Sequence, residues 1–178
     1  MRINDLSAKL TAFGLVIAFG ALIWLYTREF PVFTNTINAG RLVLGAMIAG
    51  ALLAAAALYA FRKRLLPLDR HVPEIAVTVV FSALFAPLFA SLLNRAGGPI
   101  VYQSFEFVSE IPYLSSNYGL LKGEKIKPTG MRLQVKEEGK LYRFQYKKQP
   151  YFPITEPGEQ ILLPMRKGLL GFRILQLK

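Results

Sequence analysis

Residues 41–64 read RLVLGAMIAGALLAAAALYAFRKR: Arg41, an uncharged run from Leu42 to Phe61, then Arg62-Lys63-Arg64. A helix of about twenty residues at ~1.5 Å rise is ~30 Å long, the thickness of the hydrocarbon core of a bilayer. Each Leu, Ile, Val or Phe near its centre favours insertion by ~0.3–0.6 kcal/mol, whereas one buried Arg would oppose it by ~2.5–3.5 kcal/mol. No charge interrupts the run, so the stretch reads as a membrane span, and the rest of the chain is read outward from it.

Upstream, Arg2 and Lys9 precede a second uncharged run, Leu10 to Thr27. The run exceeds the ~7–15 residues of a signal-peptide core, and Leu25-Tyr26-Thr27-Arg28-Glu29 offers no small-residue cleavage site. It therefore reads as an uncleaved anchor, with Trp24 and Tyr26 at headgroup level. Residues 28–40 read as a short interfacial turn in which Thr36 or Asn38 caps the next helix. Downstream, a loop from Arg62 to Glu74 leads into a third uncharged run, Ile75 to Asn94, kinked at Pro87. The three spans, about 10–27, 42–61 and 75–94, make a transmembrane domain of residues 1–95. Small residues at four-residue spacing, Ala46, Gly50 and Ala54 and again Gly14 and Ala18, suit close helix approach. That approach is expected among helices of this chain, with a homodimer seam as the alternative.

Composition agrees with this division. Of the 178 residues 53% are hydrophobic, too many for an ordinary soluble domain; the net charge is +11, and apart from the few basic residues that border the apolar runs most Lys and Arg lie after Ala96. The N-terminal segment and the second loop hold Arg2, Lys9, Arg62, Lys63, Arg64 and Arg70, against Arg28, Arg41 and Arg95 elsewhere. That balance predicts a cytoplasmic N-terminus and, after three spans, an extracytoplasmic C-terminal domain in the cell membrane. The chain is free of cysteine, which excludes disulfides, thiolate metal sites and a cysteine nucleophile.

After Gly97-Gly98-Pro99 the pattern changes to alternation and turns, predicting a small, compact antiparallel β-barrel or sandwich over residues 96–178. A first strand is expected over Ile100 to Glu110, with Val101, Gln103, Phe105 and Phe107 on one face and Tyr102, Ser104, Glu106 and Val108 on the other. From Pro112 to Gly130 at most one short strand is expected. Glu138-Gly139 separates two alternating runs, and a two-residue turn there pairs Val135 with Tyr142, Leu133 with Phe144 and Met131 with Tyr146. Because Glu is an unusual partner for Gly in such a turn, a bulged turn is the alternative. That register leaves Arg132, Lys136, Arg143 and Lys147 on the opposite, outward face. A closing hairpin is expected with Arg166 to Leu169 as its loop, Met165 facing Leu170, Leu163 facing Phe172 and Ile161 facing Ile174.

No dinucleotide, P-loop, zinc-protease or nucleophile-elbow motif occurs, and His71 is the single histidine. The carboxylate pairs Glu106/Glu110 and Glu137/Glu138 read as a polar strand face and a turn, so no catalytic residue and no cofactor is assigned. Asp69, His71 and Glu74 offer metal-ligand atom types, but Pro73 breaks the register between the last two and a solvated loop is expected. Asp, Glu, Lys, Arg and His are absent from all three runs, which argues against a transporter. The stretch Tyr142 to Lys148 mixes aromatic and basic residues without matching an RNA-binding motif, and nucleic acid is not an expected partner. The expected role is that of a non-enzymatic envelope protein presenting a basic β-domain for binding or complex assembly. Its binding residues are then Arg132, Lys136, Arg143 and Lys147. Its partners are the bilayer, anionic headgroups or an acidic envelope polymer, and other membrane proteins or a second copy. A membrane enzyme or accessory subunit with metal in the 62–74 loop is the alternative, and a small transporter the third.

Overall fold

The structure is a computed structural model, and it describes residues 3–64, 67, 71–113, 129–147 and 149–177. Three helices come first: α1 (Ile3–Thr34), α2 (Ala39–Ala60) and α3 (Val72–Arg95). All three are long and apolar enough to cross a membrane, over Lys9–Thr34, Ala39–Ala60 and Val72–Arg95. Among the described residues five strands follow: β1 (Ile100–Tyr113), β2 (Gly130–Glu137), β3 (Lys140–Tyr146), β4 (Gln160–Lys167) and β5 (Arg173–Leu175); most of the stretch from Pro112 to Gly130, where at most one short strand is expected, lies outside the described residues.

The chain forms two compact units, Met1–Phe30 with Leu44–Phe89, and Pro31–Val43 with Ala90–Lys178. In the helical unit the aromatic side chains of α1 and α3 meet in tilted and edge-to-face pairs. The Phe19 ring centroid is 5.6 Å from that of Phe81 and 6.0 Å from that of Phe85, and Tyr26 is 6.1 Å from Phe85. Such pairs add ~0.5–1.5 kcal/mol each beyond burial. Between α2 and α3 the contact rests on Gly50, where a Cβ would lie 2.5 Å from the Cβ of Ala86 and 2.6 Å from the carbonyl oxygen of Ser82. The small-residue face of α2 is thus used within the chain at Gly50, whereas around Gly14 the space is open. α1 does not stop at the charged pair after Thr27. It continues through Arg28 and a buried Glu29 to Thr34, as helix rather than the expected turn.

In the other unit the strands form one antiparallel sheet in the order β3-β2-β1-β4-β5. β1 is the longest strand and pairs with different halves on its two sides, residues 106–113 with β2 and 100–106 with β4. That stagger goes with a curl, and the result is an open half-barrel, neither the closed barrel nor the two-layer sandwich expected. Its concave face carries the core, including Phe105, Phe107, Leu133, Val135, Phe144 and Leu163.

The β2–β3 register matches the alternation: Met131 opposes Tyr146, Leu133 opposes Phe144 and Val135 opposes Tyr142. Glu138 and Gly139 both take positive φ, 49° and 79°, so the connection is a two-residue turn with the twist of a tight hairpin and no bulge. β1 holds to its two faces only as far as Phe107. Between Phe107 and Ser109 the register slips, so the faces exchange and Glu110 comes opposite Leu133 instead of continuing the outer row of Glu106. On the concave side the Glu110 carboxylate accepts hydrogen bonds from the backbone N–H of Tyr151 and of Phe152, both at 3.0 Å. The two glutamates therefore do not share a polar face.

The last hairpin forms in a different register from the one expected. Met165 opposes Leu175, Arg166 opposes Ile174 and Lys167 opposes Arg173. Its loop is residues 168–172, and the cause is distant in sequence. Asn94, fully buried at the end of α3, accepts from Leu169 N–H at its carbonyl and from Leu170 N–H at Oδ1, and its Nδ2 donates to the Phe172 carbonyl. Gly168 packs so tightly on Asn94 that a Cβ there would collide with it. β5 ends at Leu175 because the next partner is Pro164. Its carbonyl accepts from Gln176 N–H, but proline has no N–H to return.

Candidate functional site

The segment between α1 and α2 belongs to the sheet. Ile37 is 3% exposed within the core cluster, and its N–H donates to the Arg173 carbonyl at 2.8 Å. Thr36 bridges to Ile174, and the Asn35 carbonyl accepts from Leu175 N–H at 2.9 Å. At the opposite edge of the half-barrel, Asn35 Nδ2 donates to the Gln145 carbonyl and Oδ1 accepts from Gln145 N–H, both at 2.8 Å. One asparagine thus joins β5 with its backbone and β3 with its side chain, closing by a strap what the strands leave open. Capping of α2 differs accordingly. Thr36 Oγ1 donates back to Val32, and Asn38, at φ 58°, receives Arg41 and Leu42 N–H on its carbonyl.

At one end of the concave face Arg173 links three strands. Its guanidinium donates two bonds of 2.7 Å to the Glu137 carboxylate and one of 2.8 Å to Gln103 Oε1. The Glu137 hydrogen bond holds the Arg173 pKa above its ordinary value, against an opposing desolvation. A raised basic pKa stabilises the fold fully below the unfolded value and loses that contribution only as pH climbs through the folded one, so the link persists throughout neutral and moderately alkaline solution. The cluster ties β5, β2 and β1 together through one arginine, one carboxylate and one amide.

The four basic residues singled out in the sequence lie as follows. Arg132 and Lys136 alternate with core residues on β2 and are half-buried, while Arg143 is exposed on β3 opposite Gln134, which sits between them. Cross-strand diagonals of this kind span ~7–8 Å. Lys136 reaches the carboxylate of Glu106, its β1 neighbour, at 3.9 Å, so part of its charge is answered within the sheet. Lys147 lies one residue past β3, exposed, and lines an open cavity of about 670 Å³ with Thr129, Met131, Gln149 and Tyr151. Three of the four therefore share the outer face of the β2–β3 hairpin, and the fourth stands at its end.

Asp69 lies outside the described residues. His71, half-buried just before α3, and Glu74, exposed in its first turn, are 4.0 Å apart, and among the described residues no group of three His, Cys, Asp or Glu comes together as a metal site. Asn35 and Asn94 could not be found by periodicity, since each acts through a side-chain amide on backbone far away in sequence. A polar residue at the edge of an apolar run was the only local signal.

Compared with known proteins, the chain matches no family model, no curated protein and no solved structure.

Proposed function

We propose that this is a multi-pass membrane protein without catalysis of its own, which holds a basic half-barrel at the membrane surface as a docking face for anionic surfaces. The observation that carries the reading is the hairpin register, which turns Arg132, Lys136 and Arg143 outward while every alternate residue faces the core. Each basic residue near an anionic surface contributes ~1 kcal/mol, and the attraction fades as the Debye length falls from ~10 Å at 0.1 M salt to ~3 Å at 1 M. Lys136, answered by Glu106, contributes least. The test uses the full chain in neutral-lipid nanodiscs, mixed with phosphatidylglycerol vesicles, phosphatidylcholine vesicles or poly-glutamate at low and high salt. The reading expects capture by the two anionic probes at low salt only, abolished when Arg132, Lys136, Arg143 and Lys147 all become Glu. Equal capture by neutral vesicles, or no loss in that variant, overturns it.

The strap supports a three-span arrangement. Residues 35–37 follow the first helix and β5 follows the third, yet they are hydrogen-bonded together. Both lie on one side of a membrane only if α2 and α3 cross it as a pair. We place that side outside the cell membrane, with the N-terminus and Arg62-Lys63-Arg64 in the cytoplasm. Single cysteines at Lys140 and, separately, Lys63 test this in intact cells with an impermeant maleimide. Labelling at Lys140 alone is expected, and labelling at Lys63 alone inverts the orientation.

A further inference from the structure

The 168–172 loop is built around the end of one span and beside the start of another. Leu169 and Leu170 N–H are both hydrogen-bonded to Asn94, at 3.2 and 3.1 Å, one residue before Arg95 closes α3. Leu169 also lies directly on Gly97. Leu170, Phe172 and Arg173 line a cavity of about 260 Å³ together with Ile37, Asn38 and Arg41, the residue that opens the apolar run of α2. The loop is therefore level with Arg41 and Arg95, the charges at which two apolar runs end.

Despite this position the loop turns its apolar side chains outward. Leu169 is 62% exposed and Leu170 42%. The start of β1, five residues after Arg95, continues the patch with Ile100 and Tyr102, and Leu162 on β4 extends it, Tyr102 being 67% exposed. Five exposed large apolar side chains on a soluble surface would be an aggregation liability. At the boundary of headgroups and acyl chains they have a partner, because apolar groups there are buried ~5–10 Å below the phosphates while adjacent cations stay with them. Lys167, exposed beside the loop, supplies such a cation.

We infer that Leu169 and Leu170, with Ile100 and Tyr102, form a membrane-inserting foot that seats the half-barrel in the headgroup and acyl boundary of the bilayer. The inference rests on the membrane reading of the helices, and it assigns the bilayer to a surface distinct from the basic hairpin face. The cysteine-free chain allows the test in full-length protein reconstituted in phosphatidylcholine vesicles. An environment-sensitive fluorophore is attached at Leu169→Cys or, separately, Leu170→Cys, with Lys140→Cys at the far hairpin turn and Leu53→Cys within α2 as references. Two foot positions guard against one label disturbing the loop. Foot labels are expected to be blue-shifted, quenched by lipids spin-labelled near the headgroup and shielded from iodide, while the Lys140 label shows the reverse and the Leu53 label is quenched by lipids spin-labelled deep in the chain. Leu53 quenched with foot labels behaving like Lys140 overturns the foot alone. A Leu53 label open to iodide overturns the membrane reading, and the foot with it.

Discussion

Glu138 occupies a left-handed backbone conformation at the first position of the β2–β3 turn, where a Cβ crowds the following carbonyl. Asparagine tolerates that conformation and is favoured before glycine in such turns. Glu138→Asn is expected to stabilise the protein by about 0.5–1 kcal/mol, read as a higher midpoint in denaturant titration of detergent-solubilised protein. Asn35 works the other way. Its removal leaves both backbone groups of Gln145 without their partner at the edge of β3, so Asn35→Ala should cost about 1–3 kcal/mol and accelerate hydrogen exchange at the Gln145 amide, with distant amides unaffected. The Arg173–Glu137 pair is partly exposed and water-screened. A double-mutant cycle with Arg173→Ala and Glu137→Ala should give a coupling of about 1 kcal/mol. Because the raised Arg173 pKa lies above the alkaline range, the coupling should be unchanged between about pH 7 and pH 10.

Elements whose partners are neighbours in sequence were legible. The β2–β3 hairpin follows from alternation and a Gly turn, since a one-residue slip would expose Leu133, Val135 and Phe144. The β4–β5 hairpin has the same kind of pattern, yet its loop is shaped by Asn94, more than seventy residues upstream by the span of its hydrogen bonds. No period in the last twenty residues carries that information. The slip between Phe107 and Ser109 was hidden for a related reason: Glu110 turns inward to bind the backbone of residues 151–152, a contact that exists only once the chain is folded. Among the helices, the four-residue spacing of small residues marked a packing face, and the structure tells its two instances apart. Gly50→Val should force α2 from α3 and lower the thermal unfolding midpoint in detergent by several degrees, while Gly14→Val, made into open space, should leave it in place.

At the scale of the whole molecule the expected boundary near residue 96 does not isolate a complete β-unit, because the strap at residues 31–43 supplies Ile37 to the core and Asn35 to both edges. A fragment of residues 98–178 should therefore bind hydrophobic dyes and give poorly dispersed amide spectra, whereas the full chain gives a cooperative transition. In the full chain Phe144→Ala should cost about 3–5 kcal/mol, since it empties the centre of the concave core. The strap also sets an order of events during synthesis. Asn35 leaves the ribosome about 140 residues ahead of its last partner, Leu175, which at ~5–20 residues per second is a wait of roughly 7–30 s. By then α1 and α2 have had time to form, so the newborn sheet must come to a strap that is already flanked by its two helices. A sheet that has not yet met the strap would expose the edges of β3 and β5 to any other extended chain.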